Sequence, residues 1–220
     1  MAATVTRESI ADAGIAVLDR DGLDALSMRK VASELGVQAA SLYWHVRNKE
    51  ELLELVADAL FRDVVMPEVE GGWREQLRAM ATTYRQFLKS RRDAARLLGG
   101  RFVVGPHATR AIEATLRLFR DAGFPLPDAA HAMFLVTVYV QGFVLQETVP
   151  MSAAEALGAS PAEAMEGIAR RLDALPADEF PALAEGRRLL TMMNIDGRFA
   201  FGVERILDGL ATRLPPTAPE

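Results

Sequence analysis

Apolar residues recur every three or four positions along most of this chain, which is the spacing of one face of an α-helix. The pattern predicts regular helices over residues 7–21, 73–90 and 196–214. Less regular helices are predicted over residues 28–35, 38–45, 48–65, 93–98, 106–123, 127–148 and 162–175. No segment shows the strict alternation and hairpin turns of a sheet. The predicted fold class is therefore all-α.

The segment from Pro127 to about Thr148 is the most apolar part of the chain. Periodicity alone also allows a buried strand at its centre, residues 132–140, but its length and its helical surroundings favour a helix. The continuous apolar run at this centre is well short of the about 20 residues that a membrane span needs, so no membrane contact is expected. A helix that is apolar on nearly every side must be buried on nearly every side, and a second subunit is the simplest cover.

Breaks in the pattern divide the chain. Residues 67–72 contain one proline and two glycines, and they mark the expected boundary between an N-terminal domain (1–66) and a C-terminal helical domain (67–214). The first domain includes the start of a linking helix, residues 48–65. Residues 149–162, rich in Ala, Ser, Gly and Pro, are predicted to form a mobile loop, and residues 215–220 a disordered tail.

Residues 26–53 have the pattern of a helix-turn-helix. Ser27 can cap the first helix, because its hydroxyl can accept from free backbone N–H groups. Val31 and Leu35 are four residues apart and face inward. Gly36 suits the left-handed geometry that ends a helix.

A second helix of about seven residues then ends at His45. Leu42 and Val46 point back to the core, which leaves the polar and aromatic side chains on the other faces. Asn48 and Glu51 have the spacing of a capping box for the following helix. This arrangement places a short helix in the major groove of DNA.

The same segment resembles the TetR family of bacterial transcriptional regulators. The stretches MRKVASELGV, SLYWHV and NKEELL carry the resemblance, since the spacing, turn glycine, aromatic pair and following cap all agree. The resemblance implies a DNA-binding N-terminal domain, three helices with a helix-turn-helix, followed by a helical domain for ligand sensing and dimerisation. A helical hairpin without DNA function is the alternative.

Ten residues are candidates for DNA contact: Ser27, Arg29, Gln38, Ala39, Ala40, Ser41, Tyr43, Trp44, His45 and Lys49. Gln38 can pair with adenine, and Ser41 can donate or accept at several bases. In similar proteins the residues matching Tyr43 and Lys49 contact phosphates. Trp44 has two interpretations of equal weight, packing against a neighbouring helix or contact with DNA.

One such helix reads too few base pairs to be specific. A two-fold dimer reads two half-sites, so we expect a near-palindromic operator and recognition helices about 34–36 Å apart or somewhat more. The helices at 127–148 and 196–214 are candidates for the interface of a homodimer, as a four-helix bundle. The expected partners are double-stranded DNA, a small-molecule effector and a second copy of the chain.

Charge and composition refine this picture. The net charge of −5 counts against nucleic-acid binding, but residues 27–50 carry four basic residues against two acidic ones, so the DNA face is locally positive. DNA binding should depend steeply on salt. The chain has no cysteine, which excludes thiol catalysis, disulfides and cysteine zinc sites. No N-terminal export signal is evident, and a cytoplasmic location is expected.

No constellation of catalytic residues is apparent. The three histidines, His45, His107 and His131, lie in different predicted helices without a partner motif, and no HExxH, GxGxxG, phosphate loop or GxSxG occurs. We expect no enzyme activity, no catalytic residue and no cofactor.

The resemblance continues into the second domain, where SRRDAARLLGGR and LRLFRDAGFPLPDA look like the tetracycline-binding branch of the family. That branch holds a magnesium–tetracycline chelate with a histidine, a glutamate and an asparagine, whose positions fall about Leu98, near Gln146 and near Met80. Leucine and methionine cannot ligate magnesium. We therefore expect no metal site and no binding of tetracycline through a metal; the family's aromatic residue is retained as Tyr84.

The matching positions predict a ligand pocket whose lining is largely apolar: Met80, Tyr84, Leu98, Arg101, Phe102, Thr115, Phe134, Val138, Gln146 and Met192. Such a lining suits a small hydrophobic ligand, although Met and Phe at this spacing are also typical of plain core. Arg101 can anchor an acidic group or lie at the surface.

The leading hypothesis is a repressor that a small molecule releases from DNA. The alternatives are a ligand-independent DNA-binding protein with a packed core, and a small-molecule binder or enzyme that kept the fold but lost DNA binding.

Overall fold

The computed structural model describes residues 5–67, 69–156, 158, 160–191 and 194–214. Within these ranges the chain forms α-helices and short turns with no strand, so the prediction of an all-α fold is confirmed. The helices are α1 (Arg7–Asp21), α2 (Met28–Glu34), α3 (Ala39–Leu42), α4 (Lys49–Leu60), α5 (Trp73–Ser90), α6 (Ala94–Leu98), α7 (Pro106–Asp121), α8 (Leu126–Ala156), α9 (Pro161–Asp173), α10 (Pro181–Thr191) and α11 (Ile195–Ala211).

The chain divides into two compact units. One unit comprises Met1–Val144 and Val203–Glu220, and the other comprises Leu145–Gly202. The first contains α1–α7 with the beginning of α8 and the end of α11. In the second, α9 packs against α10, and Arg187 Nε lies 3.0 Å from Asp173 Oδ1.

Helices α1–α4 share an apolar centre in the N-terminal part of the first unit. Thr6 caps α1 by accepting from the Ser9 N–H, and the Ser9 hydroxyl accepts in return from the Thr6 N–H. Ile10 and Val17 of α1 are fully buried, as is Val56 of α4. Gly14 lets α1 and α4 cross closely, because a Cβ added there would overlap Val56.

The turn between α2 and α3 has the predicted geometry. Ser27 Oγ accepts from the Lys30 N–H at 3.4 Å, which confirms the cap. Gly36 has a φ of 68°, in the left-handed region that glycine adopts without strain. The Gly36 N–H donates to Ser33 O and the Val37 N–H to Ala32 O, the two bonds of a Schellman ending.

Several predicted boundaries are wrong. The linking helix α4 ends at Leu60 instead of Val65, because the chain turns at Phe61 and then extends toward Pro67. The predicted loop over 149–162 is helical as far as Ala156, and α10 was not predicted. The predicted disordered tail, residues 215–220, lies outside the described residues.

Between Leu126 and Thr148, where its side chains are described, helix α8 buries one apolar stripe within the chain, formed by Ala129, Ala132, Val136, Val140 and Val144. Other large apolar side chains of α8 are exposed. They form a surface that a second subunit could cover, as the sequence predicts.

The apolar part of α8 is longer than the sequence analysis assumed. Leu126–Thr148 spans 23 residues and is, among the described residues, the one helix long and apolar enough by length and composition to cross a membrane. The expectation that the apolar run is too short for a span therefore does not hold for the whole helix. A core or interface helix has the same properties.

Candidate DNA interface and ligand cavity

The predicted DNA contacts surround the exposed side of α3. Arg29, Gln38, Ala40, Tyr43, Trp44 and Lys49 are exposed, and Ser27, Ala39, Ser41 and His45 are half-buried. Leu42 and Val46 are fully buried on the opposite side. Trp44 is 90% exposed, so the interpretation that it packs against a neighbouring helix is wrong.

Two cations at this surface are available to phosphate. Among the residues that the structure describes, Arg29 and Lys49 form no ion pair with an acidic side chain. Lys30 differs, because its Nζ lies 3.2 Å from Asp21 Oδ2. Lys49 is also the first residue of α4, and a helix N-terminus attracts anions.

An arginine of α1 that the sequence analysis did not single out joins the segment after α3 to α4. Arg7 Nη1 donates both to the carbonyl oxygen of His45 and to Glu51 Oε1, the latter at 2.9 Å. Asn48 Oδ1 caps α4 by accepting from the Glu51 N–H at 2.9 Å. The Glu51 carboxylate does not return to the Asn48 N–H, as a capping box requires, but accepts from the Arg47 N–H at 2.8 Å.

These contacts make Glu51 an acid-sensitive point of the DNA-binding part. The bond from the Arg47 N–H, together with the Arg7 and Arg47 guanidinium groups, lowers the pKa of Glu51 from 4.5 to about 2. A depressed folded-state pKa stabilises the fold above pH 4.5, and that contribution is lost as pH falls from 4.5 toward 2.

Glu51→Gln should therefore make the free energy of unfolding fall less steeply as the pH is lowered through this range. Urea unfolding at several pH values measures this slope. Glu54→Gln, exposed on the same helix, should keep the wild-type slope; equal slopes in both variants would contradict the assignment.

The first unit also contains an open, largely apolar cavity of about 460 Å³. It is bounded by the chain after α4 and by α5, the α6–α7 loop, α7 and α8. Eight of the ten predicted pocket residues line it: Met80, Tyr84, Leu98, Arg101, Phe102, Thr115, Phe134 and Val138. The prediction missed other lining residues, notably Phe61, Val64, Ile112, Met133 and Gln141.

The other two predicted pocket residues are Gln146 and Met192. Gln146 is exposed on α8 and is not among the residues that line the cavity. Met192 lies outside the described residues. Phe102 is 83% exposed and Phe134 is 69% exposed, so the cavity wall is open to solvent in the single chain.

A few polar groups interrupt the apolar wall. Gln141 Nε2 donates to Tyr84 Oη at 2.8 Å, which leaves the phenol's own hydrogen for another acceptor. Burial raises the pKa of Tyr84 to about 12, so the phenol stays protonated at neutral pH. Thr115 Oγ1 donates back to Ala111 O in its own helix at 2.8 Å.

Two contacts connect the cavity to α4. Arg101, in the loop between α6 and α7, pairs with Glu50 in the first turn of α4. Asp58, buried near the end of α4, accepts from the His107 and Ala108 N–H groups at the start of α7, at 3.0 and 2.8 Å. These two contacts join the cavity wall to α4.

The metal ligands of tetracycline-binding relatives are not reproduced where the resemblance places them. Leu98, at about the histidine position, is a buried part of the cavity wall. Among the described residues no group of three or more His, Asp or Glu side chains could hold a metal ion. That the protein does not bind tetracycline through a metal stays a prediction.

An exposed helix-turn-helix that is joined to an open apolar cavity defines a DNA-binding regulator that responds to a ligand. The family model of "Bacterial regulatory proteins, tetR family" matches residues 10–56, and that of "Tetracyclin repressor-like, C-terminal domain" matches residues 66–214. The chain belongs to the TetR family of bacterial transcriptional regulators.

Individual relatives agree with this membership. The HTH-type transcriptional repressor DrrR1 of Streptomyces coeruleorubidus is 32% identical over 94% of this chain and 77% of its own length. The class A tetracycline repressor of transposon 1721 from Escherichia coli is 33% identical over 91% of this chain and 88% of its own. ActR from Streptomyces coelicolor, solved in complex with actinorhodin, is 34% identical in sequence. Its structure matches with a TM-score of 0.85 over 98% of this chain and 100% of its own.

These relatives are transcriptional regulators and not enzymes. The protein is a ligand-responsive, DNA-binding transcriptional repressor, as the sequence predicts.

Proposed function

We propose that the protein is a homodimer that occupies a near-palindromic operator in the bacterial cytoplasm and leaves it when a small, largely apolar molecule fills the cavity. The observation that carries this proposal is the open apolar cavity, whose wall is connected to α4 and, through α4, to the DNA-binding surface. The similar ActR is known in complex with actinorhodin, which supports a small-molecule effector.

The proposed reading of DNA divides the surface between bases and phosphates. Gln38 and Ser41 contact base edges, and the small Ala39 and Ala40 allow close approach to a thymine methyl. Ser27, Tyr43, His45 and Lys49 contact phosphates and so set the register of the protein on the DNA. Arg29 contacts a base, and Trp44 contacts either a base or a phosphate.

The proposed dimer uses the exposed apolar surface of α8 together with α11. Leu126, Phe134, Leu135 and Val138 of α8 expose large apolar side chains, as does Phe201 of α11. Large exposed apolar patches mark interaction sites. Packing α8 and α11 against the same helices of a second copy makes a four-helix bundle and gives the two-fold axis that a near-palindrome requires.

We also propose that residues 1–66 act as the DNA-binding domain and residues 67–214 as the sensing and dimerisation domain. This functional division differs from the two compact units, because α1–α7 pack together in one unit. Packing of the DNA-binding helices against the cavity helices suits a regulator, since a loosely tethered DNA-binding domain would not respond to ligand binding.

Release follows from a shift between two dimer forms. Ligand binds more tightly to the form whose recognition helices are wrongly spaced, and a hundred-fold loss of operator affinity needs about 2.7 kcal/mol of differential binding. Helix α4 transmits the change because Asp58 and Glu50 attach it to the cavity wall.

A small-molecule screen tests the ligand response. Compounds that raise the thermal midpoint of the protein should also displace it from operator DNA in fluorescence anisotropy. Ala111→Phe, which fills the cavity, should abolish both effects while leaving operator affinity unchanged. Stabilising compounds that leave DNA binding intact would contradict release by ligand, and stabilising compounds without any operator binding would favour a binder without DNA function. A screen without hits would favour the ligand-independent alternative.

A further inference from the structure

Arg101 is the charged member of the cavity wall. Among the described residues that line the cavity, it alone carries a formal charge, and the remainder present apolar, hydroxyl, amide or backbone groups. No carboxylate lines the cavity beside it. Charges interact more strongly next to an apolar wall than in water, so this cation gives the cavity a preference among ligands.

The present partner of Arg101 is weakly held. Arg101 Nη1 lies 2.8 Å from Glu50 Oε2, and the side chains are 27% and 68% exposed respectively. An ion pair with one such exposed member shifts an equilibrium by about five-fold or less. An acidic group that enters the cavity can therefore replace Glu50 at little cost.

The other positive feature near the cavity is already occupied. The first N–H groups of α7 would attract an anion, but Asp58 accepts from the His107 and Ala108 N–H groups. An acidic ligand therefore has the Arg101 guanidinium as its counter-ion. Apolar side chains, including Phe61, Phe102 and Phe134, line the same cavity.

We propose that the effector is an apolar, aromatic-sized molecule that carries an acidic group, and that this group takes Arg101 from Glu50. The inference rests on the proposed function, since it names the ligand class of the same cavity. Because Glu50 lies in the first turn of α4, next to Lys49, the exchange of partners also connects ligand binding to the DNA surface.

Two fluorescent probes with the same ring system test the charge preference. 8-Anilinonaphthalene-1-sulfonate is an apolar anion, and N-phenyl-1-naphthylamine is its analogue without the sulfonate. Both are titrated into the full-length protein. Ala111→Phe, which fills the cavity, should remove the binding of both and so locate it. A hydrogen-bonded ion pair with Arg101 should make the anion bind about ten-fold more tightly than the neutral probe.

Variants of the pair separate charge from packing. Arg101→Gln should weaken binding of the anionic probe about ten-fold and change binding of the neutral probe by less than about two-fold. Arg101→Lys should retain part of the preference. Glu50→Gln removes the competitor, so it should tighten binding of the anion by about two- to five-fold and leave the neutral probe unchanged.

Two results would overturn the inference. If both probes bind in the cavity but Arg101→Gln affects them equally or not at all, the ligand class is wrong and the proposed function stands. If neither probe binds the wild-type protein, the cavity is not a ligand site, and the ligand-responsive part of the proposed function fails as well.

Discussion

Replacing Lys49 by alanine should lower the affinity of the protein for its operator by about a hundred-fold at low salt. The proposed dimer would lose two charge-assisted phosphate contacts, and each would contribute roughly 1.5 kcal/mol. Lys49 is exposed at the first position of α4. The loss should be similar for every DNA sequence, since a phosphate contact carries no base information.

Salt dependence distinguishes this contact from an indirect effect. The slope of log affinity against log salt concentration should fall by about two for the dimer, one unit for each lost contact. Fluorescence anisotropy at several salt concentrations measures it. Arg117→Ala removes another exposed cation, on α7, that pairs with Glu113, and it should leave both affinity and slope unchanged. An unchanged slope in Lys49→Ala would exclude the proposed contact.

Asp58→Ala should lower the free energy of unfolding by about 3 kcal/mol, because the half-buried N–H of His107 and the buried N–H of Ala108 lose a charged acceptor. Asp58 is only 7% exposed, so water cannot easily replace the carboxylate. The Asp58 carboxylate occupies the space where residue 105 would otherwise have a side chain, and Gly105 has none that could replace it as an acceptor. Urea unfolding of the full-length protein measures the change.

Two further variants show whether capping is the cause. Asp58→Asn keeps an acceptor of the same shape, so it should cost only about 1 kcal/mol. Asp63→Ala removes an exposed acid just beyond α4 and should change stability by less than about 0.5 kcal/mol. If Asp58→Ala behaves like Asp63→Ala, the carboxylate does not hold α4 to α7.

Local patterns predict the helices that have clear signals at both ends. Helix α1 matches its predicted bounds because apolar spacing, an N-terminal cap and Gly22 coincide, and α5 matches between Gly72 and Ser90. Helix α4 was predicted too long because Val64 and Val65 extend the apolar pattern. In the structure these valines line the cavity after the chain has turned, a tertiary role that periodicity does not distinguish from a helix face.

The predicted loop after α8 was wrong for a different reason. Ser, Gly and Pro were weighted as loop signals, while the alanines and glutamate of residues 151–156 have high helix propensity and continue the helix. Prolines at 161 and 181 begin α9 and α10, where the missing N–H costs nothing.

The two parts of the site differ in how much the sequence reveals. The DNA surface is local, so the spacing within residues 26–53 predicts which side of α3 is buried and which is exposed. The contacts that link it to the cavity join residues about fifty positions apart, Glu50 with Arg101 and Asp58 with His107. A contact between two single side chains so far apart in sequence produces no periodic pattern, so only the folded structure reveals it.

Selection of bound fragments from a random DNA library, with the wild-type protein at fixed salt, tests the proposal that a two-fold dimer reads DNA through α3. We expect enriched fragments to share an inverted repeat that binds one dimer, with half-sites changed by Gln38→Ala or Ser41→Ala. Enrichment of a single unpaired half-site, or no enrichment over the starting library, would contradict the proposed reading of DNA.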